Sequence, residues 1–224
     1  EEVVAEVTEV MPKYATATIK KIRKKSVSRV VPPCDVYEAC GGCQLQHLAY
    51  DKQLDFKRDM VLQSLEKFKP AGYEKFDLRP TIGMDDPWRY RNKAQFQVRM
   101  TEENQIIAGL YGEGTHKLVD INNCIVQRPE TTKVIQVVKG LLAELEIPIY
   151  NEIKHSGIVK TIVCRVGIQT GEVQLVLVTN SKKLPKKRQF LEQIKILLPE
   201  VVSIMQNVNQ EKTSLVMGEE TIHL

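Results

Sequence analysis

Residues 34–43 read Cys34-Asp35-Val36-Tyr37-Glu38-Ala39-Cys40-Gly41-Gly42-Cys43, and the reading of this stretch decides how the chain is organised. Three thiols and two adjacent glycines crowd into a loop with little apolar content. Such a segment cannot build its own core, so something other than hydrophobic burial must fix it. A fourth cysteine, Cys124, follows after 80 intervening residues, and a fifth is Cys164.

Three readings compete for these thiols. Disulfides suit neither the odd count nor a reducing compartment. Structural zinc accepts four thiolates but usually takes them as two short pairs, each on its own turn. A cuboidal iron–sulfur cluster is wrapped at three corners by closely spaced cysteines and closed by a distant one. The spacing favours this third reading, a [4Fe–4S] cluster on Cys34, Cys40, Cys43 and Cys124. Gly41-Gly42 would let the backbone approach the sulfides, which a Cβ would hinder. Cys164 lies in the apolar run Ile162-Val163-Cys164-Arg165-Val166 and reads as a small core hydrophobe outside the site. Four thiolates with no open position describe a structural or electron-transferring centre.

Upstream of the loop, residues 3–9 and 14–22 alternate apolar and polar side chains around the turn Met11-Pro12-Lys13. This is the pattern of half-buried strands in a β-hairpin. Residues 11–30 carry Lys13, Lys20, Lys21, Arg23, Lys24, Lys25 and Arg29 with no acid among them, a composition suited to a polyanion. Pro32-Pro33 breaks this module off. Downstream, Tyr50, Leu54, Lys57, Val61, Leu65 and Phe68 fall on one helical face, and Pro70-Ala71-Gly72 ends the helix. Strands are expected at about 90–100, 106–112 and 116–121. A helix opening at Pro129 follows, stopped by Pro148. A hairpin of strands 158–168 and 172–179 turns at Thr170-Gly171. A helix near 185–198 and strands near 201–208 and 214–223 complete an α+β pattern with a mostly antiparallel sheet.

Composition bounds the class. The 224 residues are 42% hydrophobic and 27% charged, with formal net charge +4, as in an ordinary globular protein. No apolar run is long enough for a membrane span and no signal peptide is visible, so a cytoplasmic protein is expected. The basic run Lys182, Lys183, Lys186, Lys187 and Arg188 reads as a solvated face. The chain starts at Glu1 and ends at Leu224 in strand-like alternation, which suggests a piece of something longer.

The motif Cys34-x5-Cys40-Gly-Gly-Cys43-x2-Gln46-His47-Leu48, with Tyr50 and Gln53 on the next helix, resembles the 23S rRNA (uracil-5-)-methyltransferases of the RumA/RlmD type. Tyr90-Arg91-Asn92-Lys93 resembles that family's Tyr-Arg-x-Lys strand start. Gly109-Leu110-Tyr111 and Leu118-Val119-Asp120-Ile121-x2-Cys124 are similar to its stretch ending at the last cluster cysteine, although Ile125 stands where the family often has Pro. Gln206-Asn207-Val208-Asn209, then Gly218, is similar to the lead into its catalytic domain. The resemblance covers nearly all of the chain.

The resemblance implies three regions. Residues 1–32 would be the C-terminal half of a TRAM-like (OB-like) RNA-binding barrel. Residues 33–78 and 116–127 would form the Fe–S cluster region, and 79–224 a central α+β domain. A methyltransferase domain using S-adenosylmethionine would follow residue 224, bringing the cysteine nucleophile that attacks C6 of a flipped-out uracil and the base that frees C5. No catalytic residue and no adenosylmethionine contact is therefore expected here. The product would be 5-methyluridine, the partner 23S rRNA, with no DNA and no membrane, and the protein a monomer. Lys13, Lys20, Lys21, Arg23, Lys24 and Lys25 would grip phosphates, with Tyr14 stacking on a base or on its strand neighbour. Arg89, Arg91 and Lys93 beside Trp88 form a second candidate RNA surface, or pair with Asp85 and Asp86. His47 reads as a structural residue before the helix. The rival reading is a non-catalytic Fe–S RNA-binding protein.

Overall fold

The computed structural model describes residues 1–70, 77–212 and 215–224. It divides into two compact units: Glu1–Pro33 with Gln44–Met84, and Cys34–Cys43 with Asp85–Leu224. The boundary runs through the segment that sequence reasoning assigned to one cluster region. The cysteine loop packs with the second unit and the helix after it with the first.

In the first unit, strands β1 (Glu2–Val10) and β2 (Ala15–Lys24) form the expected antiparallel hairpin. It is not half-buried: every residue of β1 is exposed, Val7 and Val10 included. Alternation marks a face fit for burial, and no described element buries it. Glu6 pairs with Lys20 at 2.6 Å, Glu2 with Lys24 at 3.7 Å, and Thr8 with Thr16 at 3.1 Å. Helix α1 (Tyr50–Phe68) starts where the periodicity places it. Gln53 anchors its first turn, donating to the carbonyls of Leu45 and Leu48 at 3.0 and 2.9 Å. The segment after the helix is tied back to it. The Met84 amide donates to the Tyr50 hydroxyl at 2.9 Å, Arg58 to the Leu78 carbonyl at 2.9 Å, and Thr81 to the Leu54 carbonyl at 3.0 Å. No residue of α1 is fully buried, and Val61, Leu65 and Phe68 of its apolar face are exposed. Of the expected stop, Ala71 and Gly72 lie outside the described residues.

The second unit is a seven-stranded sheet in the order β5-β4-β3-β6-β7-β8-β9. Its strands are β3 (Lys93–Met100), β4 (Ile106–Tyr111), β5 (Leu118–Asp120), β6 (Val159–Val166), β7 (Val173–Thr179), β8 (Val201–Val208) and β9 (Glu220–His223), with helices α2 (Pro129–Glu144) and α3 (Lys187–Leu197). All pairings are antiparallel except β7 with β8. That pair is parallel because α3 carries the chain back across the sheet. The last strand is shorter than the expected 214–223, whose first residue lies outside the described set.

The core follows from side-chain periods. Phe96 and Val98 of β3, Ile162 and Cys164 of β6, and Leu175 and Leu177 of β7 share one sheet face. They pack with Val134, Val138, Leu141 and Leu142 of α2 and with Phe190 and Ile194 of α3. The opposite face alternates to Gln97, Arg99 and Thr161, with a small apolar patch at Val163, Val176 and Val178. No described helix is long and apolar enough to cross a membrane.

The run Gln206-Asn207-Val208-Asn209 near the end of the sheet is a clamp made of amides. Asn207 donates to the carbonyls of Gly218 and Glu220 and to the Thr221 hydroxyl, and accepts from the Gly218 amide at 2.7 Å. Gln206 donates to Thr179 Oγ1 at 2.9 Å and to the Ser181 carbonyl at 2.8 Å. Asn209 donates to the carbonyls of Leu215 and Val216. All three amides are buried, so these bonds are what allows them to be there.

Candidate metal centre

The loop 34–43 folds as tight turns. The Tyr37 amide donates to the Cys34 carbonyl at 3.1 Å, and the Ala39 and Cys40 amides to that of Val36 at 3.1 and 2.8 Å. Val36 and Cys40 pack on the core beside Leu110 and Cys124. The Gly41 amide donates to the Tyr111 carbonyl at 3.0 Å, tying the loop to the end of β4. A Cβ at Gly41 would meet that oxygen at 2.8 Å and the Glu113 nitrogen at 2.9 Å. A Cβ at Gly42 would meet Leu110 Cδ1 at 2.9 Å. Gly41 is therefore needed for approach to the end of β4 and the turn after it; at Gly42 the Leu110 side chain can shift, and the next contact is Cys40 Sγ at 3.3 Å.

Cys124 is held from three sides although it is far away in sequence. Arg89 donates to the Cys124 carbonyl at 2.8 Å, to Asn123 Oδ1 at 3.1 Å and to the Gln127 carbonyl at 3.3 Å. The Gln127 amide closes a turn on the Cys124 carbonyl at 3.1 Å, just before Pro129 opens α2. Upstream, Lys139 of α2 holds both Asp120 oxygens at 3.0 Å and Asn122 at 3.1 Å. The segment carrying the last thiol is thus fixed by β5, α2 and the residues before β3.

The four thiols lie within one electrostatic neighbourhood. Burial is the main cause that raises the pKa of Cys34, and the charges of Cys124, Cys43 and Asp35 add to it; a hydrogen bond from the Val36 backbone opposes. Cys40 is raised in the same way, by burial and then by Cys43, Cys124 and Cys34, against the Gly42 amide, which donates to its sulfur at 3.4 Å. Thiolates so crowded are stable only beside a positive centre, which deprotonates its ligands. Among the described residues, however, no three His, Cys, Asp or Glu side chains converge tightly enough for one metal ion. Tetrahedral thiolates on a single zinc at ~2.3 Å must stand within about 4 Å of one another, whereas a cuboidal cluster places each on a different iron and spreads them wider. Cys164 stands apart, fully buried in β6 with its thiol pushed up to about 12 by burial.

The other sequence candidates are dispersed. Lys13, Lys20, Lys21, Arg23, Lys24 and Lys25 are exposed on the hairpin and the segments beside it. Lys20 and Lys24 are paired to β1 acids, while Lys13, Lys21, Arg23 and Lys25 have no ion pair among the described residues. Arg89 pairs with neither Asp85 nor Asp86; its guanidinium serves the Cys124 turn. Arg91 and Lys93 are exposed and Trp88 is half-buried. The His47 carbonyl accepts from the Val30 amide at 2.9 Å, in the first unit. Sequence reasoning did not bring together Arg99, Tyr111, Tyr150 and Lys160. They come from β3, β4, the segment after α2 and β6, and meet at one concavity on the sheet's second face; no periodicity links them.

No protein-family model matches the chain. Proteins named "uncharacterized RNA methyltransferase" from Enterococcus faecalis and Listeria innocua are each 58% identical over 224 residues, 100% of this chain and 49% of theirs. One from Halalkalibacterium halodurans is 52% identical over the same 224 residues, 48% of its length. The chain spans about half the length of the curated relatives it matches. Among solved structures, the tRNA (uracil-54, C5)-methyltransferase of Pyrococcus abyssi, in complex with S-adenosyl-L-homocysteine, superposes with a TM-score of 0.65 at 26% identity. The match covers 97% of this chain and 47% of that one.

Proposed function

We propose that this chain, 58% identical to proteins named RNA methyltransferases over about half of their length, supplies the RNA grip and an iron–sulfur centre of a protein that methylates C5 of a uracil in 23S rRNA. Cys34, Cys40, Cys43 and Cys124 would hold a [4Fe–4S] cluster. The carrying observation is that all four thiols fall in one compact unit although 80 residues separate the third from the fourth. Held by those four cysteines, the cluster would supply a cross-link between loop 34–43 and the Cys124 turn. The chain's own residues do the rest: the Gly42 and Val36 amides donate to thiolate sulfur, and Arg89 and Lys139 fix the Cys124 segment. Transfer of the methyl from S-adenosylmethionine is assigned to a part of the whole protein outside these 224 residues, and none of the five thiols is the nucleophile. The free cations Lys21, Arg23 and Lys25, with Lys13, Lys20 and Lys24, would contact phosphates, which positions RNA without reading its sequence.

The test has two arms. Anaerobically prepared protein should be brown and carry about four irons per chain; Cys124→Ser should remove iron, and Cys164→Ala should not. Colourless protein with one zinc, or equal iron loss in both variants, refutes the ligand set. In filter binding, affinity for a 23S rRNA fragment should fall steeply with salt. Joint neutralisation of Lys20, Lys21, Arg23, Lys24 and Lys25 should weaken binding across many RNA sequences alike. Affinity indifferent to salt and to those charges refutes the grip, and methyl transfer by this chain alone refutes the division of labour.

A further inference from the structure

On the sheet face away from α2 and α3, Gln97, Arg99, Tyr111, Tyr150, Lys160 and Thr161 line a concavity of about 680 Å³, within the size range of small-ligand sites. Its walls are aromatic. Tyr111 meets His116 edge-on with ring centres 6.0 Å apart, and Tyr150 bonds His155 Nδ1 through its hydroxyl at 2.8 Å. Its edges carry both donors and acceptors. Arg99 donates to the Tyr111 hydroxyl at 2.7 Å and to Glu152 at 2.8 Å. Thr161 donates to Gln97 Oε1 at 2.9 Å, which leaves the Gln97 amide N–H groups without a partner among the described residues.

Two cations complete it. Lys160 Nζ stands 4.7 Å from the Tyr150 ring centre and donates to the Asn209 and Glu211 carbonyls at 3.0 and 3.3 Å. Burial lowers its pKa while Glu152 raises it. Lys212 is exposed at the rim.

Planar rings with mixed donors and acceptors at their edges suit a nucleobase, and the two ammonium groups suit its phosphate. A base inside a duplex has neither face nor Watson–Crick edge to offer, so only an unpaired nucleotide fits. We infer that this concavity takes one unpaired RNA nucleotide, its base against Tyr111 and His116 above the buried Tyr150 and its phosphate at Lys160 and Lys212. This rests on the RNA-binding reading above and adds where, and in what state, a nucleotide is held. The basic hairpin positions the backbone; this site requires an unstacked base.

The experiment uses the full 224-residue chain, with a short single-stranded uridine oligomer carrying one 4-thiouridine, beside a fully paired RNA of equal length. After irradiation, cross-linked peptides are identified by mass spectrometry. Cross-links are expected at Tyr111, His116, Tyr150 or His155, displaced by unlabelled single strand and not by duplex. His116→Ala with Lys212→Ala, both exposed and outside the core, should weaken single-strand binding about tenfold and leave duplex binding unchanged. Cross-links confined to the hairpin, with affinity unmoved by the double substitution, overturn this site while leaving the RNA reading intact. Absence of binding to either RNA at low salt removes the RNA reading itself.

Discussion

An added Cβ at Gly41 meets two backbone atoms, the Tyr111 oxygen and the Glu113 nitrogen, neither of which can rotate away. Gly41→Ala should therefore push the cysteine loop off β4 and lower iron content after anaerobic reconstitution. At Gly140, exposed in the interior of α2, an added Cβ meets nothing within 4 Å. Gly140→Ala should stabilise the protein by about 0.5–1 kcal/mol, through a less flexible unfolded chain and better helix propensity. Urea denaturation of both variants checks the pair, and a stabilised Gly41→Ala would refute the contact. At this scale the cysteine spacing pointed to four thiols that fall in one unit. The reason for Gly41 was not legible, because its neighbour Tyr111 lies 70 residues away and is brought there only by the sheet.

Elements were read more easily than their burial. Helices α1, α2 and α3 and the hairpin β6–β7 lie close to the bounds that periodicity sets, since 3.6- and 2-residue repeats are local properties. Coverage is not local. The hairpin β1–β2 and the C-terminal part of the apolar face of α1 are exposed, and their sequence pattern is the same as that of a covered element. The Arg89 segment carries a structural role that its composition does not announce. A basic, aromatic stretch suggests a surface for RNA, but Arg89 sits at φ 54° and turns its guanidinium onto the Cys124 turn. Arg89→Ala should leave those acceptors unpaired, costing about 1–3 kcal/mol, and should lower iron content without changing the salt dependence of RNA binding. A loss of RNA affinity with stability and iron intact would return Arg89 to the RNA surface. Asn207→Ala should cost a similar amount, about 1–3 kcal/mol, by releasing residues 218–221 from β8; protection of their amides in hydrogen exchange reports it.

For the whole molecule, the division into two units cuts the cysteine motif from the helix that follows it. Residues 85–224 alone retain only Cys124 and Cys164 of the five thiols. Expressed by themselves they should reconstitute no iron–sulfur cluster, as iron analysis and absorbance would show; recovery of about four irons would mean that the ligands were misassigned. The backbone passes between the two units three times, after Pro33, after Cys43 and after Met84. Interleaving of this kind has a consequence for inheritance. A domain strung on one linker can be duplicated, lost or grafted onto another gene by a single recombination. Here a single breakpoint anywhere between Cys43 and Asp85 would part the ten-residue loop from the sheet that receives it, so the two can be passed on intact only together.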